Sequence, residues 1–578
     1  MRPNMFATSL RHSFLCAVAI AATASHGAYN DPYDYKELEV REVQPATVVS
    51  NAAGRMVVDF GKDAVGWLEL DGPEAGPYEI VMGELVNLRG EVTNAYPRST
   101  IRCQRLSGEK PAGAYRVPMP ADSLNLRGYD PKAPAILLPE RFGVVFPFRY
   151  VEIVRGPKMK CLQRAVNYPI DVKKSAFDCD SADLVRVYDL CKHSIVATSF
   201  CGVYVDGDRE RTPYEADAYI NQLGHYAIDD DCSLARKSHE WLMDHSTWPT
   251  EWRQHSIMMA WADWMWTGDS RSIAKFYGRL ADEKLLLGYA RASDGLLETG
   301  GERGKGAKPG VADIVDWPAS ERDGFVFRPV NAVVNAFFFR NLREMADISA
   351  ALGKKDRAAE FAAMAQRAHG AFQRAFYRPQ SGLYADGEGT DHCSLHANAA
   401  ALAFGLVPPE RVDAIADFLE RKGMACSVYF SQYLLEALFE AGRDEAAIAL
   451  MTAHGNRSWI GMMDFGSTVT MEAWNIGAKP NLDLNHAWGA APLNVIARYV
   501  VGVTPLESGF KKIAIRPRIG GLKTVSATVP TAAGSVVLKA SPSEIEFESP
   551  SPAEVTFAGE TRSFPAGRHK FKSNGTSR

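Results

Sequence analysis

Residues 332–376 read AVVNAFFFRNLREMADISAALGKKDRAAEFAAMAQRAHGAFQRAF. Val334, Phe338, Leu342, Met345 and Ile348 fall on one face of a helix. After Gly353-Lys354 a second set follows: Phe361, Met364, Ala365, Ala368, Phe372 and Phe376. That spacing belongs to amphipathic helices, and Gly353 supplies a C-cap between them. The stretch is therefore two helices joined by a turn. The unit recurs, because Leu402 to Phe404 is followed by Pro408-Pro409 and then by Val412 to Leu419. Between Asp178 and Tyr499 there is room for roughly a dozen such helices. Hairpins in that number either close into an (α/α)6 toroid with a central pocket or stay an open array. Ten of the eleven tryptophans lie in this part of the chain.

On either side the period changes. Val57 to Phe60, Gly66 to Leu70, Tyr78 to Met82 and Arg149 to Val154 are short, partly alternating runs separated by Gly, Pro and Asn clusters. These predict a β-sandwich. After Val501 comparable runs return at Thr524–Val529, Ser535–Leu538, Glu544–Glu548 and Glu554–Phe557, which predicts a small C-terminal β domain. At the start, Arg2 and Arg11 supply positive charge ahead of the apolar run Phe14 to Ala22, and Ala22-Thr23-Ala24 offers a small-residue cleavage site. This is the pattern of a secretory leader. The expected fold class is thus multidomain α and β. A leader occupies 1–24, an N-terminal β-sandwich 29–170, the (α/α)6 domain 175–500 and a C-terminal β domain 501–578. The expected location is exported, periplasmic or extracellular.

Across all 578 residues, 65 Lys and Arg face 69 Asp and Glu, a net charge of -4. That balance argues against nucleic acid as a partner and against a polybasic membrane surface. No run after the leader has 18 unbroken apolar residues, so no membrane span is expected. Eight cysteines follow the leader without a CxxC pair, so zinc and thiol-redox chemistry lack support. Buried free thiols are the expected state for most of them. His392 and His396 are four apart but flank Cys393, and packing or exposure is expected rather than a metal. No cofactor is expected.

Polar chemistry concentrates in two clusters. The first is Asp206-Gly207-Asp208-Arg209-Glu210-Arg211-Thr212-Pro213-Tyr214-Glu215-Ala216-Asp217, five carboxylates and two arginines at the opening of a predicted helix. A charge run of this kind is commonly a solvated loop. Here apolar residues flank it and the mixed signs can satisfy one another in a buried site. The second is Thr470-Met471-Glu472-Ala473-Trp474 with Asn485-His486-Ala487-Trp488-Gly489. A carboxylate beside aromatic rings and a histidine suits a sugar, whose apolar face stacks on a ring while its hydroxyls take hydrogen bonds. The alternative is a helix end packed with core aromatics. Together the clusters supply the two carboxyl groups that glycoside hydrolysis needs, provided the fold brings them face to face.

These residues resemble the bacterial α-L-rhamnosidases of glycoside hydrolase family 78. Arg209-Glu210-Arg211, then Tyr214 and Asp217, match the spacing of the family's acid motif. Asp206 stands one residue closer than in well-known members, and Tyr214 replaces a frequent Trp. Leu484 to Gly489, Gly502 to Leu506 and Gly509-Phe510 resemble the family's junction into its C-terminal β domain, and Arg149 to Glu152 the end of its N-terminal sandwich. The resemblance implies that Glu210 is the general acid and Glu472 the general base acting through water. It also implies that Asp206, Arg209, Asp217 and His486 hold sugar hydroxyls, and that Trp252 and the pair Asp316-Trp317 line the subsite. Tyr214, Glu215 and Trp474 complete the candidate set. Glu215 is an extra carboxylate able to raise the acid's proton affinity or to replace it. The family inverts configuration, which would set the two carboxyl groups ~6.5–9.5 Å apart, whereas a gap near ~5–5.5 Å would point to a covalent, retaining route.

The expected partner is a carbohydrate ending in L-rhamnose or a similar sugar, attacked at its terminal residue. One alternative is the same mechanism on another terminal sugar. A uronic acid would suit the guanidinium groups of Arg209 and Arg211. The other is a non-catalytic sugar-binding homologue, against which the presence of both glutamates argues.

Overall fold

The computed structural model describes residues 30–96, 98–128 and 133–572. The leader expected over 1–24 lies outside the described residues.

Thirteen α-helices lie among the described residues: α1 (Ala182–Thr198), α2 (Glu215–Tyr226), α3 (Ser233–Asp244), α4 (Thr250–Thr267), α5 (Arg271–Arg279), α6 (Ala332–Ala351), α7 (Lys355–Phe376), α8 (Leu395–Ala403), α9 (Val412–Lys422), α10 (Ser431–Glu440), α11 (Asp444–Met451), α12 (Trp459–Asp464) and α13 (Ala491–Val495). Six form an inner ring. α2 packs on α4, α4 on α6, α6 on α8, α8 on α10, α10 on α13, and α13 returns to α2. α1, α3, α5, α7, α9 and α11 pack outside them. The hairpins therefore close, and the open array is excluded.

Sequence dictates which ring a helix joins. α7 buries Phe361, Ala365, Ala368, Phe372 and Phe376 on one stripe and leaves its other side wet, as an outer helix must. α6 buries Phe337 and Phe339 as well as the predicted stripe, because an inner helix is packed nearly all round. Each fully buried Phe contributes about 1.5–3 kcal/mol. Asn331 caps α6 by accepting a hydrogen bond from the Val334 N–H at 2.8 Å. Beyond the helix end, Gly353 takes φ 71°, a left-handed turn that glycine adopts without strain.

The N-terminal strands are β1 (Glu39–Val43), β2 (Thr47–Ser50), β3 (Met56–Asp71), β4 (Gly76–Gly83), β5 (Cys103–Lys110), β6 (Tyr115–Arg116), β7 (Phe146–Arg155) and β8 (Lys160–Asn167). All join one hydrogen-bonded sheet, with the order β1-β8-β3-β7-β4-β5 and with β2 and β6 also on β3. β3 changes partners along its length. Met56–Asp59 pairs with β2 and β7, and Gly66–Asp71 with β8. The register shift between Asp59 and Ala64 lets one strand serve both ends. At the other end of the chain, 503–572 forms a four-stranded sheet and four strands of a five-stranded one among the described residues. The edge of the larger sheet is Ala176–Cys179, paired to Val525–Val529. That short strand falls inside the span expected for the helical domain. It ties the start of the helical domain to the last one.

No helix among the described residues is long and apolar enough to cross a membrane. The eight cysteines after the leader are free, and Cys161, Cys191, Cys201, Cys232 and Cys426 are buried.

Candidate active site

The loop preceding α2 is tied into a small ring. The Asp206 N–H donates to the Thr212 carbonyl at 3.0 Å, and the Thr212 N–H returns to Asp206 Oδ1 at 3.0 Å. Arg211 N–H donates to the Gly207 carbonyl at 3.1 Å, with Arg211 itself at φ 52°. Gly207 is required by close approach. A Cβ there would lie 2.6 Å from the Asn485 carbonyl oxygen and 2.8 Å from Asp483 Oδ2. The loop can press this tightly on 483–485 only because position 207 has no side chain.

Facing it, the chain around 470–472 runs beside 483–486. Glu472 N–H donates to the Asp483 carbonyl at 3.1 Å, and His486 N–H to the Thr470 carbonyl at 2.9 Å. This pairing places Glu472, Asp483 and His486 together. Arg209 then joins the two clusters. Its Nη2 donates to Glu210 Oε1 and to Glu472 Oε1, each at 2.7 Å. Its Nη1 donates to Glu472 Oε2 at 2.8 Å. The two carboxylates, distant in sequence, meet on one guanidinium, and their nearest oxygens are at most twice 2.7 Å apart, closer than the ~6.5–9.5 Å expected for inversion and nearer the ~5–5.5 Å of a retaining pair. Lys479 Nζ also contacts Glu472 Oε1, and Asp483 N–H donates to Oε2 at 3.2 Å. Tyr214 donates its hydroxyl proton to Glu210 Oε2 at 2.9 Å.

The electrostatics separate the carboxyl groups. Burial would raise the Glu472 pKa, but Arg209, Lys479 and His486 outweigh it and hold the group at about 2. Glu472 is therefore a carboxylate at any ordinary pH. Asp206 moves the other way, well above its usual range, through burial and the neighbouring charge of Glu210. Asp217 and Asp483 are raised by burial as well, although His486 opposes this at Asp217 and Arg209 and His486 oppose it at Asp483. One site thus holds a firmly ionised carboxylate beside carboxyl groups whose proton affinity burial raises, a separation of the kind that acid–base chemistry uses.

Of the residues expected from sequence, Asp206, Arg209, Glu210, Tyr214, Asp217, Glu472 and His486 converge here. His486 Nε2 pairs with Asp217 Oδ1 at 2.8 Å. Trp252 meets Tyr214 edge-on at 5.5 Å and Trp488 at 6.1 Å. The Trp252 Nε1 and His486 Nδ1 atoms are buried without a partner among the described residues, so each has hydrogen-bonding capacity to offer a ligand. Trp317 is 37% exposed, with Lys479 Nζ 6.0 Å from its ring centroid. It presents a bare aromatic face beside the ammonium that holds Glu472.

Three expected residues have other work. Glu215 turns away from Glu210. It accepts hydrogen bonds from the Thr247 N–H at 3.2 Å and from the Thr247 hydroxyl, and lies 3.8 Å from buried Lys284. As the first residue of α2 it points across the helix start into the wall, so it anchors the ring rather than tuning the acid. Asp316 is wholly buried and saturated by the Trp317 N–H, His396 and both donors of Ser427. It fixes the Trp317 loop instead of facing a sugar. Trp474 is buried against Trp459 and donates Nε1 to the Cys426 carbonyl at 2.7 Å. Arg211 is also occupied, by Asp208 and the Val145 carbonyl, so it has no free face for an acidic sugar. His396 is a packed partner of Asp316, and His392, outside α8, pairs with Asp386.

Sequence reasoning missed Asp483 and Lys479. Lys479 sits in Gly477-Ala478-Lys479-Pro480-Asn481, which reads as an ordinary turn. Asp483 lies just before the Leu484 to Gly489 stretch, and only its proximity to that stretch signalled it. A cleft of about 410 Å³ lies along the Trp317 loop, lined by Ser320, Asp323, Lys422, Met424, Ala425 and Arg457 rather than by the two glutamates.

A closed double ring of helices that brings two carboxylates together is the architecture of the six-hairpin glycosidase domains. Residues 172–500 match the bacterial α-L-rhamnosidase six-hairpin glycosidase domain, and the chain belongs to that family. It is 21% identical over 549 residues to an α-L-rhamnosidase of Formosa agariphila, covering 86% of this chain and 54% of that protein. The fold resembles that of an α-L-rhamnosidase from Dictyoglumus thermophilum, with a TM-score of 0.74, 18% identity and coverage of 93% of this chain and 64% of that one. It is equally similar to a Streptomyces avermitilis α-L-rhamnosidase solved with L-rhamnose, at 0.74, 18%, 93% and 54%. The chain therefore spans about half the length of the Formosa relative and of the Streptomyces structure.

Proposed function

We propose that this protein is an exported, exo-acting α-L-rhamnosidase that inverts configuration at the anomeric carbon, a route that requires Glu210 and Glu472 to part on Arg209 so that a water fits between them. The observation that carries the reading is the meeting of Glu210 and Glu472 on Arg209 at a buried site beside Tyr214 and Trp252. Glu210 protonates the departing glycosidic oxygen. Glu472, ionised at any working pH, takes a proton from the attacking water. Both oxygens of Glu472 are engaged by Arg209, Lys479 and the Asp483 amide. Water reaches it by displacing one of these donors, and the same donors disfavour direct attack by the carboxylate on the sugar. Tyr214, Trp252 and Trp317 supply ring faces, and Asp206, Asp217 and His486 take hydroxyls. Family membership and the relatives' names support rhamnose as the sugar. The leader-like N-terminus supports export.

The test is hydrolysis of nitrophenyl α-L-rhamnoside by the wild type, Glu210→Gln and Glu472→Gln, with the first-formed anomer read by NMR. Release of β-L-rhamnose, lost in both variants, is expected. The α anomer would replace inversion with a covalent route. Turnover of another nitrophenyl glycoside but not the rhamnoside would move the specificity. Sugar binding without turnover of any substrate would favour the non-catalytic reading. Export is tested by the N-terminal mass of the protein recovered outside the cytoplasm.

A further inference from the structure

The loop carrying Glu210 is held from two sides. One is the 482–486 segment of the helical domain. The other comes from the N-terminal sheet, a part that supplies none of the sugar-facing residues named above. Arg102, just before β5, donates Nε to Asp208 Oδ2 at 2.8 Å, and its Nη2 lies 2.6 Å from the same oxygen as an ion pair. Its remaining nitrogen, Nη1, is fixed by Asp122 at 2.6 Å. Asp208 Oδ1 in turn accepts from Arg211 at 2.7 Å. One carboxylate thus links Arg102 to both flanks of Glu210. Glu84, at the end of β4, closes a second path. Its Oε2 accepts the Arg102 N–H at 2.5 Å and its Oε1 accepts Asn485 Nδ2 at 3.1 Å. Asn485 Oδ1 then accepts the Asp208 N–H at 2.9 Å. The sheet also grips the neighbouring segment where Thr100 N–H donates to the Leu482 carbonyl at 3.0 Å.

Glu84 and Asp208 are nearly fully buried, and Arg102 is only slightly exposed. The charge-assisted Arg102–Asp208–Arg211 chain at this depth constrains geometry far more than a surface pair does. Inter-domain contacts need not be built this way. A sheet that only covered the helical ring could do so with apolar residues.

We propose that the N-terminal sheet is a working part of the active site, and that Arg102 and Glu84 are positioning residues that hold Glu210 in register for proton donation. The inference rests on the reading of Glu210 as the acid. The experiment uses the full chain with Arg102→Met, Arg102→Lys and Glu84→Gln. Methyl α-L-rhamnoside, a poor leaving group, is compared with 2,4-dinitrophenyl α-L-rhamnoside, which needs no protonation. In Arg102→Met, kcat for the methyl glycoside is expected to fall at least tenfold and that for the dinitrophenyl glycoside less than threefold, with KM nearly unchanged. Arg102→Lys should recover part of the loss, and Glu84→Gln should show the same asymmetry more weakly. Hydrogen exchange should rise at 206–212 and not in β3 or β7. Equal losses on both substrates that follow the folded fraction would overturn the proposal, as would unchanged kcat. Failure of the wild type to cleave any glycoside would sink the functional reading instead. The exchange arm then decides the positioning role alone, with unchanged protection at 206–212 in Arg102→Met counting against it.

Discussion

Replacing Lys479 with Met tests how the base is kept ionised. Glu472 sits at about 2 because Arg209 and Lys479 overcome a burial effect that pushes upward. Two unit charges about 4 Å apart at an effective dielectric near 20 interact by about 4 kcal/mol, or roughly 3 pH units. Arg209 stays in the variant and relaxes toward the vacated oxygen, so a rise of about one to three units is expected. The base must be deprotonated to work. In the wild type kcat/KM should therefore show no acid limb down to about pH 3, short of acid unfolding. In Lys479→Met an acid limb should enter the range between about pH 3 and 5. The alkaline limb, set by the acid partner, should hardly move. The assay is the pH dependence of kcat/KM on nitrophenyl α-L-rhamnoside, with circular dichroism at each pH to confirm folding. A folded variant whose acid limb coincides with the wild type's would refute the argument, because Glu472 would then not be the titrating base or Lys479 would not govern it.

Gly207→Ala places a methyl group 2.6 Å from the Asn485 carbonyl oxygen. The expected result is about 1–3 kcal/mol of lost stability and at least a tenfold lower kcat, read by thermal melts and initial rates. Wild-type activity would show that the loop does not need this approach. Glu215→Gln removes the partner of buried Lys284, whose own pKa burial lowers to about 8. Breaking such a pair costs about 3–5 kcal/mol at most, so the melting temperature should drop while the pH–rate profile keeps its shape. A shifted alkaline limb with unchanged stability would restore a catalytic role for Glu215. Burial raises Asp63 to about 7 and, with the Asp63 charge adding to burial, raises Glu84 well above its usual range. Their unfolded values lie near ~4, so the native state retains protons that the unfolded chain releases. Stability should fall as the pH rises from about 4 through 7, and Asp63→Asn with Glu84→Gln should flatten that slope in thermal melts.

The hairpin periodicity was legible because helix burial writes itself at fixed spacing. The stripe from Val334 to Ile348 and the one from Phe361 to Phe376 are both core faces in the structure. Ring closure was not legible in that way. It depends on α13 returning to α2, a contact between segments far apart in the chain, and no local period encodes it. The site divides along the same line. Motif spacing marked Arg209, Glu210 and Asp217, since the loop and the first turn of α2 place them by short-range geometry. Direction was the harder property. Glu215 and Asp217 are two positions apart on one helix, so their side chains leave it on different faces. One meets His486 and the other meets Lys284, although in sequence both look like carboxylates beside the acid. Lys479 was invisible for a related reason. A lysine in a Gly-Ala-Lys-Pro-Asn turn normally faces water, and here it is buried on Glu472. What makes that placement tolerable is the charge it meets. Lys479 is therefore better regarded as part of the base than as part of the turn, and the acid limb in Lys479→Met is the measurement that separates these two descriptions.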